Sequence, residues 1–255
     1  LKTKVLRDEQ IRVVKAAIDK QRGVLVAPTG EGKTLLGLAV ISAFLETKGR
    51  ILWLCHTKDL MYQSAEVCEK ELGIKPGIIG DGRLEKNKKV TVATRQSFKK
   101  NLNLSLMYDI VIIDEVHHIT SFEGEYATIL RSIFAPIRIG LTATLPKKDK
   151  EAMLAIEGFL GPIMEEITMK EATDLGVMAK IKLRFLKVPM SHTIRDIRKY
   201  ADVYQQGVVE RRAQHELIVG TIKSHIEKGD SALVIVTRIE HGQNILREFE
   251  YQGVK

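Results

Sequence analysis

Five short runs of β-branched and other apolar residues recur along the first part of the chain, at Val24–Ala27, Ile51–Cys55, Val90–Ala93, Ile110–Ile113 and Ile137–Leu141. Each run is apolar at nearly every position rather than at alternate ones. Such continuous character belongs to strands buried on both faces, and hence to a parallel sheet covered by helices. Longer amphipathic stretches separate the runs and predict helices over Glu9–Lys20, Lys33–Thr47, Lys58–Glu71, Tyr126–Phe134 and Lys148–Gly158. Strands alternating with helices predict right-handed βαβ units in a doubly wound α/β domain.

After "FLGPIMEEITMKEATDLGVMA" the pattern restarts. Lys182–Val188 reads as a strand, Tyr200–Lys228 as a helix, and Ala232–Val236 as a buried strand leading into a helix. The expected organisation is therefore a first domain over residues 1–170, a connecting segment over 171–181, and a second unit over 182–255. Two strands are too few for a sheet, so the second unit is expected to be completed elsewhere, by more chain or by a partner.

Composition narrows the class. Of 255 residues, 44% are hydrophobic and 28% charged, the balance of a soluble globular protein. No apolar run approaches the ~18 residues a membrane span needs, and the start has no signal-peptide core. A cytoplasmic location, or a nuclear one in a eukaryote, is the expectation. Cys55 and Cys68 form neither a metal spacing nor a disulfide framework. The net charge of +8 favours a polyanionic partner such as nucleic acid. Lys86, Lys88, Lys89, Lys99, Lys100, Lys147, Lys148 and Lys150 gather in predicted loops and helix ends, where any one cluster serves equally well as a solvated surface.

The first candidate chemistry is "APTGEGKT", Ala27 to Thr34, placed between a predicted strand and a predicted helix. That is the context of a phosphate-binding loop. Glycines let backbone N–H groups turn inward around phosphate oxygens, and the helix N-terminus adds partial positive charge. Thr29, Gly30, Glu31, Gly32, Lys33 and Thr34 form the expected cradle, with Lys33 for the terminal phosphates and the Thr34 hydroxyl for Mg²⁺. Ala27 stands where such loops usually begin with glycine.

The second is "YDIVIIDEVHH", an apolar strand ending in Asp114 and Glu115. The carboxyl ends of parallel strands are where open α/β sheets bind ligands. An aspartate there can hold Mg²⁺, usually through water, and the next glutamate can orient an attacking water. His117 and His118 do not read as a metal pair, because adjacent side chains on extended backbone point to opposite faces. One of the two is expected to face the nucleotide.

With "TAT" at Thr142–Thr144, these motifs fall in an order that resembles the superfamily 2 helicases and translocases of the DExH division. Within it the chain resembles the DNA-repair and restriction-motor branch of XPB, UvsW and the type III restriction motor subunits. "LRDEQ" with Gln10 resembles the adenine-recognising glutamine element, "APTGEGKT" motif I, "HTKDLMYQ" motif Ia, and "VATRQSF" the next DNA-contacting motif. "DEVH" resembles motif II, "TAT" motif III, and "ALVIVTRIEHG" motif IV.

The resemblance implies two RecA-like domains with ATP and Mg²⁺ in the cleft between them and DNA, more than RNA, across another face. It implies that Gln10 reads adenine, that Lys33, Thr34 and Asp114 hold phosphates and Mg²⁺, and that Glu115 places the water. His117, Thr142 and Thr144 would couple nucleotide state to domain closure. Thr57, Lys58, Gln63, Thr94, Arg95, Gln96, Thr237 and Arg238 occupy nucleic-acid-contacting motif positions, although hydroxyls and amides also serve as caps and turns. Between Ile239 and Lys255 nothing resembles motif V or the arginine finger of motif VI. This stretch of chain is therefore expected to bind ATP and hydrolyse it slowly unless more chain or another polypeptide supplies them. Two other readings remain: a duplex-DNA translocase of a restriction system, and a non-catalytic nucleic-acid-binding module that keeps the helicase fold.

Overall fold

The computed structural model describes residues 1–30, 32–188 and 198–254. Their contacts divide the chain into two units, Leu1–Lys180 and Ile181–Lys255.

The first unit opens with helix α1 (Asp8–Lys20) and strand β1 (Arg22–Val26), followed by α2 (Lys33–Phe44), β2 (Ile51–Cys55) and α3 (Lys58–Leu72). A small hairpin, β3 (Gly77–Gly80) and β4 (Arg83–Leu84), precedes β5 (Val90–Thr94) and the short helix α4 (Arg95–Lys99). Then come β6 (Ile110–Asp114), α5 (Gly124–Ser132), β7 (Ile137–Thr142), α6 (Lys150–Leu160), β8 (Ile163–Glu166) and α7 (Met169–Asp174). The strands form one sheet in the order β4-β3-β5-β2-β6-β7-β1-β8, parallel except for the β3–β4 pair.

Parallel pairing places the carboxyl end of every strand but β4 on one edge. Cys55 lies opposite Thr94, Asp114 opposite Leu141 and Val26 opposite Thr142. The segments that follow β1, β2, β5, β6 and β7 therefore leave the sheet side by side, although far apart in sequence.

The five predicted strands are present, each apolar on both faces as the continuous runs imply. Along β2, Ile51, Trp53 and Cys55 enter a core beneath α1, α2 and α3. Leu52 and Leu54 enter the opposite core, with Tyr126, Ile129 and Phe159. Gly37 in α2 permits the helix to sit close on the sheet, since a Cβ there would lie 2.9 Å from Trp53 Cη2 and 3.0 Å from Leu141 Cδ1. β3, β4 and β8 do not show in the hydrophobic pattern: "GIIG" is bounded by glycines, "RL" is only a hairpin arm, and "IMEE" is half acidic.

The second unit contains α8 (Tyr200–Tyr204), a π-helical turn over Gln205–Val209, α9 (Arg212–Ile226) and α10 (Ile239–Tyr251). The helix predicted over Tyr200–Lys228 is thus interrupted at Glu210–Arg211, just after a turn that contains Gly207, a residue unfavourable in helix interiors. The strands predicted at Lys182–Val188 and Ala232–Val236 are absent. A strand needs a neighbour for its N–H and C=O groups, and no described residue of this unit is paired in a sheet. Leu233 and Ile235 are accordingly 86% exposed. Among the described residues, no helix is long and apolar enough to cross a membrane.

Candidate active site

The turn after β1 carries the glycine loop. Gly30 and Gly32 adopt φ of +94° and +75°, a region that glycine enters without the Cβ penalty. Glu31 lies outside the described residues. Ala27 N–H donates to Thr142 O at 3.0 Å, tying the start of the loop to the end of β7.

Gly32 is the N-cap of α2 and has no side chain with which to cap the first helical N–H groups. Four helices of this unit are capped by a side chain, α3 by the Thr57 hydroxyl, α4 by Thr94, α6 by Asp149 and α7 by Thr168, whereas α5, like α2, is not. An uncapped helix start with space above Gly30, where a Cβ would meet nothing within 4 Å, is an anion site in waiting.

Lys33, on the first turn of α2, stands 3.5 Å from Glu115 Oε1. Glu115 reaches it because its own backbone is left-handed, φ 55° and ψ 55°, an uncommon conformation for a side-chain-bearing residue. The turn that follows, Val116–His118, is a 3₁₀ helix. The extended-chain argument for the two histidines therefore does not hold, because the backbone coils directly after β6. His117 Nδ1 approaches Thr142 Oγ1 at 3.1 Å and Glu115 Oε2 at 3.2 Å. His118 instead lies against His56, ring centroids 3.6 Å apart.

The hydrogen bonds of Thr142 fix the state of His117. Thr142 Oγ1 donates its one proton to Thr144 O at 2.8 Å and accepts from Thr144 N–H at 3.2 Å. It can only accept from His117, so the imidazole carries its proton on Nδ1.

Asp114 is 5% exposed, and its Oδ1 accepts the Glu115 N–H at 3.0 Å. Burial first, and then the Glu115 charge, push its carboxyl up to about 6, with Lys33 opposing. Glu115 Oε2 is buried and has no hydrogen-bond partner. Two crowded carboxylates with one lysine between them form a site short of positive charge, which suits Mg²⁺ bound at Asp114. Among the described residues, no group of three or more His, Cys, Asp or Glu side chains could hold a metal by protein ligands alone.

Beside the loop lies a cavity of about 350 Å³ lined by Lys4, Val5, Arg7, Gln10, Gly30, Gly32, Thr34, Leu35, Val67 and Glu71. Its size falls in the usual range for small ligands. Gln10 Oε1 accepts the Arg7 N–H at 3.0 Å, while a Cβ on Gly32 would lie 3.5 Å from Gln10 Nε2. The carboxamide is thus oriented between α1 and the phosphate loop.

The candidate nucleic-acid residues of this unit gather on the same sheet edge, beyond β2 and β5. Thr57 accepts from Leu60 N–H at 3.3 Å and Thr94 from Ser97 N–H at 3.3 Å, both as helix caps. Lys58 pairs with Asp81 at the β3–β4 turn, and Arg95 pairs with Glu125. Gln63 and Gln96 are exposed. In the second unit, Thr237 bonds the Tyr204 hydroxyl and Arg238 donates to Gln205 Oε1 at 2.6 Å.

Residues 3–147, which carry every element of this site, match the family model described as "Type III restriction enzyme, res subunit". The chain belongs to that family. It is 36% identical over 188 residues, 73% of its length, to the DNA 3'-5' translocase XPB2 of Sulfurisphaera tokodaii, of which it covers 41%. It is 25% identical over 209 residues, 74% of its length, to the transcription and DNA repair factor IIH helicase/translocase subunit XPB of Danio rerio, covering 26% of that protein. Among solved structures, the UvsW helicase of bacteriophage T4 aligns over 65% of this chain and 62% of its own, with a TM-score of 0.56 at 22% identity. The chain spans about half or less of the curated relatives it matches. It is a superfamily 2 chain of the XPB and type III restriction-like branch, and its sheet is RecA-like.

Three residues of this res-family site escape motif reading. His56, Tyr126 and Asp81 contact the motif residues but lie outside the expected sets. For His56 the signal is topological: β2 and β6 are neighbours, so the residues just past each meet; Asp81 reaches Lys58 from the β3–β4 turn and Tyr126 reaches His56 and Arg95 from α5.

Proposed function

We propose that the chain is the ATP-binding part of a DNA helicase or translocase of the DExH type. The observation that carries this reading is the meeting of Lys33, Glu115, Asp114 and the uncapped start of α2 on one sheet edge. The relatives named as DNA translocases and the family match support it.

In this reading the N–H groups at the start of α2 and Lys33 Nζ take the phosphates of ATP. Thr34 and Asp114 take Mg²⁺, Asp114 through water. Bound Mg²⁺–ATP supplies the high-energy phosphoanhydride and the charge that neutralises the two carboxylates. Gln10 presents its amide to the adenine edge from the neighbouring cavity. Glu115, once Lys33 turns to phosphate, accepts a proton from water held at its carboxylate. His117 and Thr142 register that movement, because both contact the same turn. Thr57, Lys58, Gln63, Thr94, Arg95 and Gln96 grip the DNA backbone, Lys58 and Arg95 by exchanging an acidic partner for phosphate.

Residues 182–255 are proposed to belong to a second RecA-like domain, with Thr237 and Arg238 as its DNA contacts. By themselves residues 1–255 bind ATP and turn it over slowly, since removal of an arginine finger costs about 10³ to 10⁵ in rate. The family description also supports a second reading, a restriction motor that tracks duplex without separating it. Strand-displacement assays on forked DNA distinguish the two. A purely structural module is disfavoured by the presence together of Lys33, Asp114 and Glu115, which such a module need not keep. Calorimetric titration of ATP into the parent and Lys33→Ala tests the site itself: the parent binds and the variant binds at least tenfold more weakly. Equal affinities would overturn the assignment.

A further inference from the structure

A column of side chains runs along the sheet edge from the nucleotide site to the proposed DNA contacts. It begins at Thr142, whose hydroxyl is 3.1 Å from His117 Nδ1. The His117 and His118 rings are 4.3 Å apart and tilted by 38°. His118 and His56 stack face to face, 3.6 Å between centroids and 13° between planes. His56 is followed by the Tyr126 ring at 6.4 Å and 18°, and the Arg95 guanidinium lies 5.8 Å from that ring. His56 immediately precedes Thr57, and Arg95 immediately follows Thr94. The column therefore joins the turn that holds Glu115 to both nucleic-acid motif segments.

Two observations mark the stack as more than packing. His118 is exposed apart from its contact face, so a core role does not account for it. Within the column, His56 Nδ1, Tyr126 Oη and Arg95 Nε are buried without a hydrogen-bond partner. Each such group calls for an explanation beyond apolar packing, a bound water or a role at the site among them. Burial first, then neighbouring positive groups, hold both stacked imidazoles below the ordinary histidine value. Neutral rings can lie face to face where two imidazoliums would repel.

We infer that His56 and His118 are positioning residues that carry the coupling between nucleotide and nucleic acid, each acting on the other's strand-end turn through their ring stack. This inference rests on the proposed function above. A ligand that moves Thr57 moves His56, and the stack passes that shift to the turn carrying Glu115 and His117. The reverse holds for nucleotide, as linkage requires.

The test is a coupling ratio measured on the full chain: the affinity for a fluorescent single-stranded oligonucleotide with and without a non-hydrolysable ATP analogue and Mg²⁺. The parent should show a ratio of at least about fivefold, the low end for coupled sites. His118→Ala and His56→Ala should bring it below about twofold, with analogue affinity and melting temperature close to the parent's. His118→Phe and His56→Phe, which keep a flat ring, should restore most of the ratio. Alanine variants that keep the parent ratio overturn the inference, and so do phenylalanine variants that behave like alanine. A parent that binds no analogue, or that binds it as tightly after Lys33→Ala, overturns the nucleotide site and the coupling with it.

Discussion

Lys33 Nζ and Glu115 Oε1 face each other at 3.5 Å across two elements that the chain separates by nearly half of the first unit. The distance is long for an ion pair whose partners could close further, and Asp114 shares the same small volume. In the proposed function the lysine turns from Glu115 to phosphate. Lys33→Ala removes the charge that phosphates would meet, so ATP affinity should fall at least tenfold, about 1.4 kcal/mol. Isothermal titration with Mg²⁺ present checks it.

Asp114 makes the protein's stability depend on pH in a definite direction. Its carboxyl sits at about 6 in the folded chain against 3.8 for an ordinary aspartate. Between those values the folded state keeps a proton that the unfolded state has released. The contribution of this group to stability therefore falls as pH rises through that window and is least favourable above pH 6. A shift of this size corresponds to roughly 3 kcal/mol at most. Asp114→Asn should be more stable than the parent by about 1–3 kcal/mol at pH 7.5, with the gain vanishing toward pH 4. Thermal unfolding across pH measures it, and a gain that does not vary with pH would contradict the burial argument.

Thr142 is fully buried and its hydroxyl serves three contacts at once. Thr142→Val keeps the shape and leaves the Thr144 N–H and the His117 Nδ1–H without their acceptor. A loss of about 1–3 kcal/mol in stability is expected. ATP affinity should change little, while stimulation of ATP hydrolysis by DNA should largely disappear. Stimulation equal to the parent's would remove Thr142 from the coupling path.

Far from the site, Arg138 at the start of β7 gathers loose carbonyls. Its guanidinium donates to Leu130 O at 3.2 Å, Ala135 O at 3.2 Å, Ile133 O at 2.5 Å and Phe159 O at 3.1 Å. These include groups at the carboxyl ends of α5 and α6, where positive charge is favoured. Arg138→Met should cost about 2–3 kcal/mol in denaturant unfolding and leave ATP affinity unchanged. A stability loss below about 0.5 kcal/mol would show these bonds to be replaceable by water.

How much could be read from the residues follows the range of each interaction. Ile51–Cys55 and Ile110–Ile113 announced themselves because a strand buried on both faces needs apolar residues at every position. The loop at Gly30–Thr34 did so because phosphate chemistry dictates its residue types. β8 lies within the expected first domain but is not legible as a strand, because its partner β1 lies far back in the chain and "IMEE" carries little apolar signal. Ala232–Val236 has the composition of a strand, but composition cannot supply a neighbour. The coil at Val116–His118 hung on one left-handed residue, Glu115, which no residue pattern marks. The His56–His118 stack required the knowledge that β2 and β6 are adjacent.

The account as a whole turns on ATP turnover driven by DNA. The decisive measurement is the ATPase rate of the complete protein with motifs V and VI present, at one salt concentration, with no nucleic acid and with single-stranded DNA, duplex DNA, forked DNA and RNA in turn, for the parent and Glu115→Gln. The account predicts a low rate for the parent without nucleic acid, stimulation by at least one DNA form beyond that by RNA, and loss of the stimulated rate in Glu115→Gln. Equal rates in parent and variant, or stimulation by RNA alone, would contradict it.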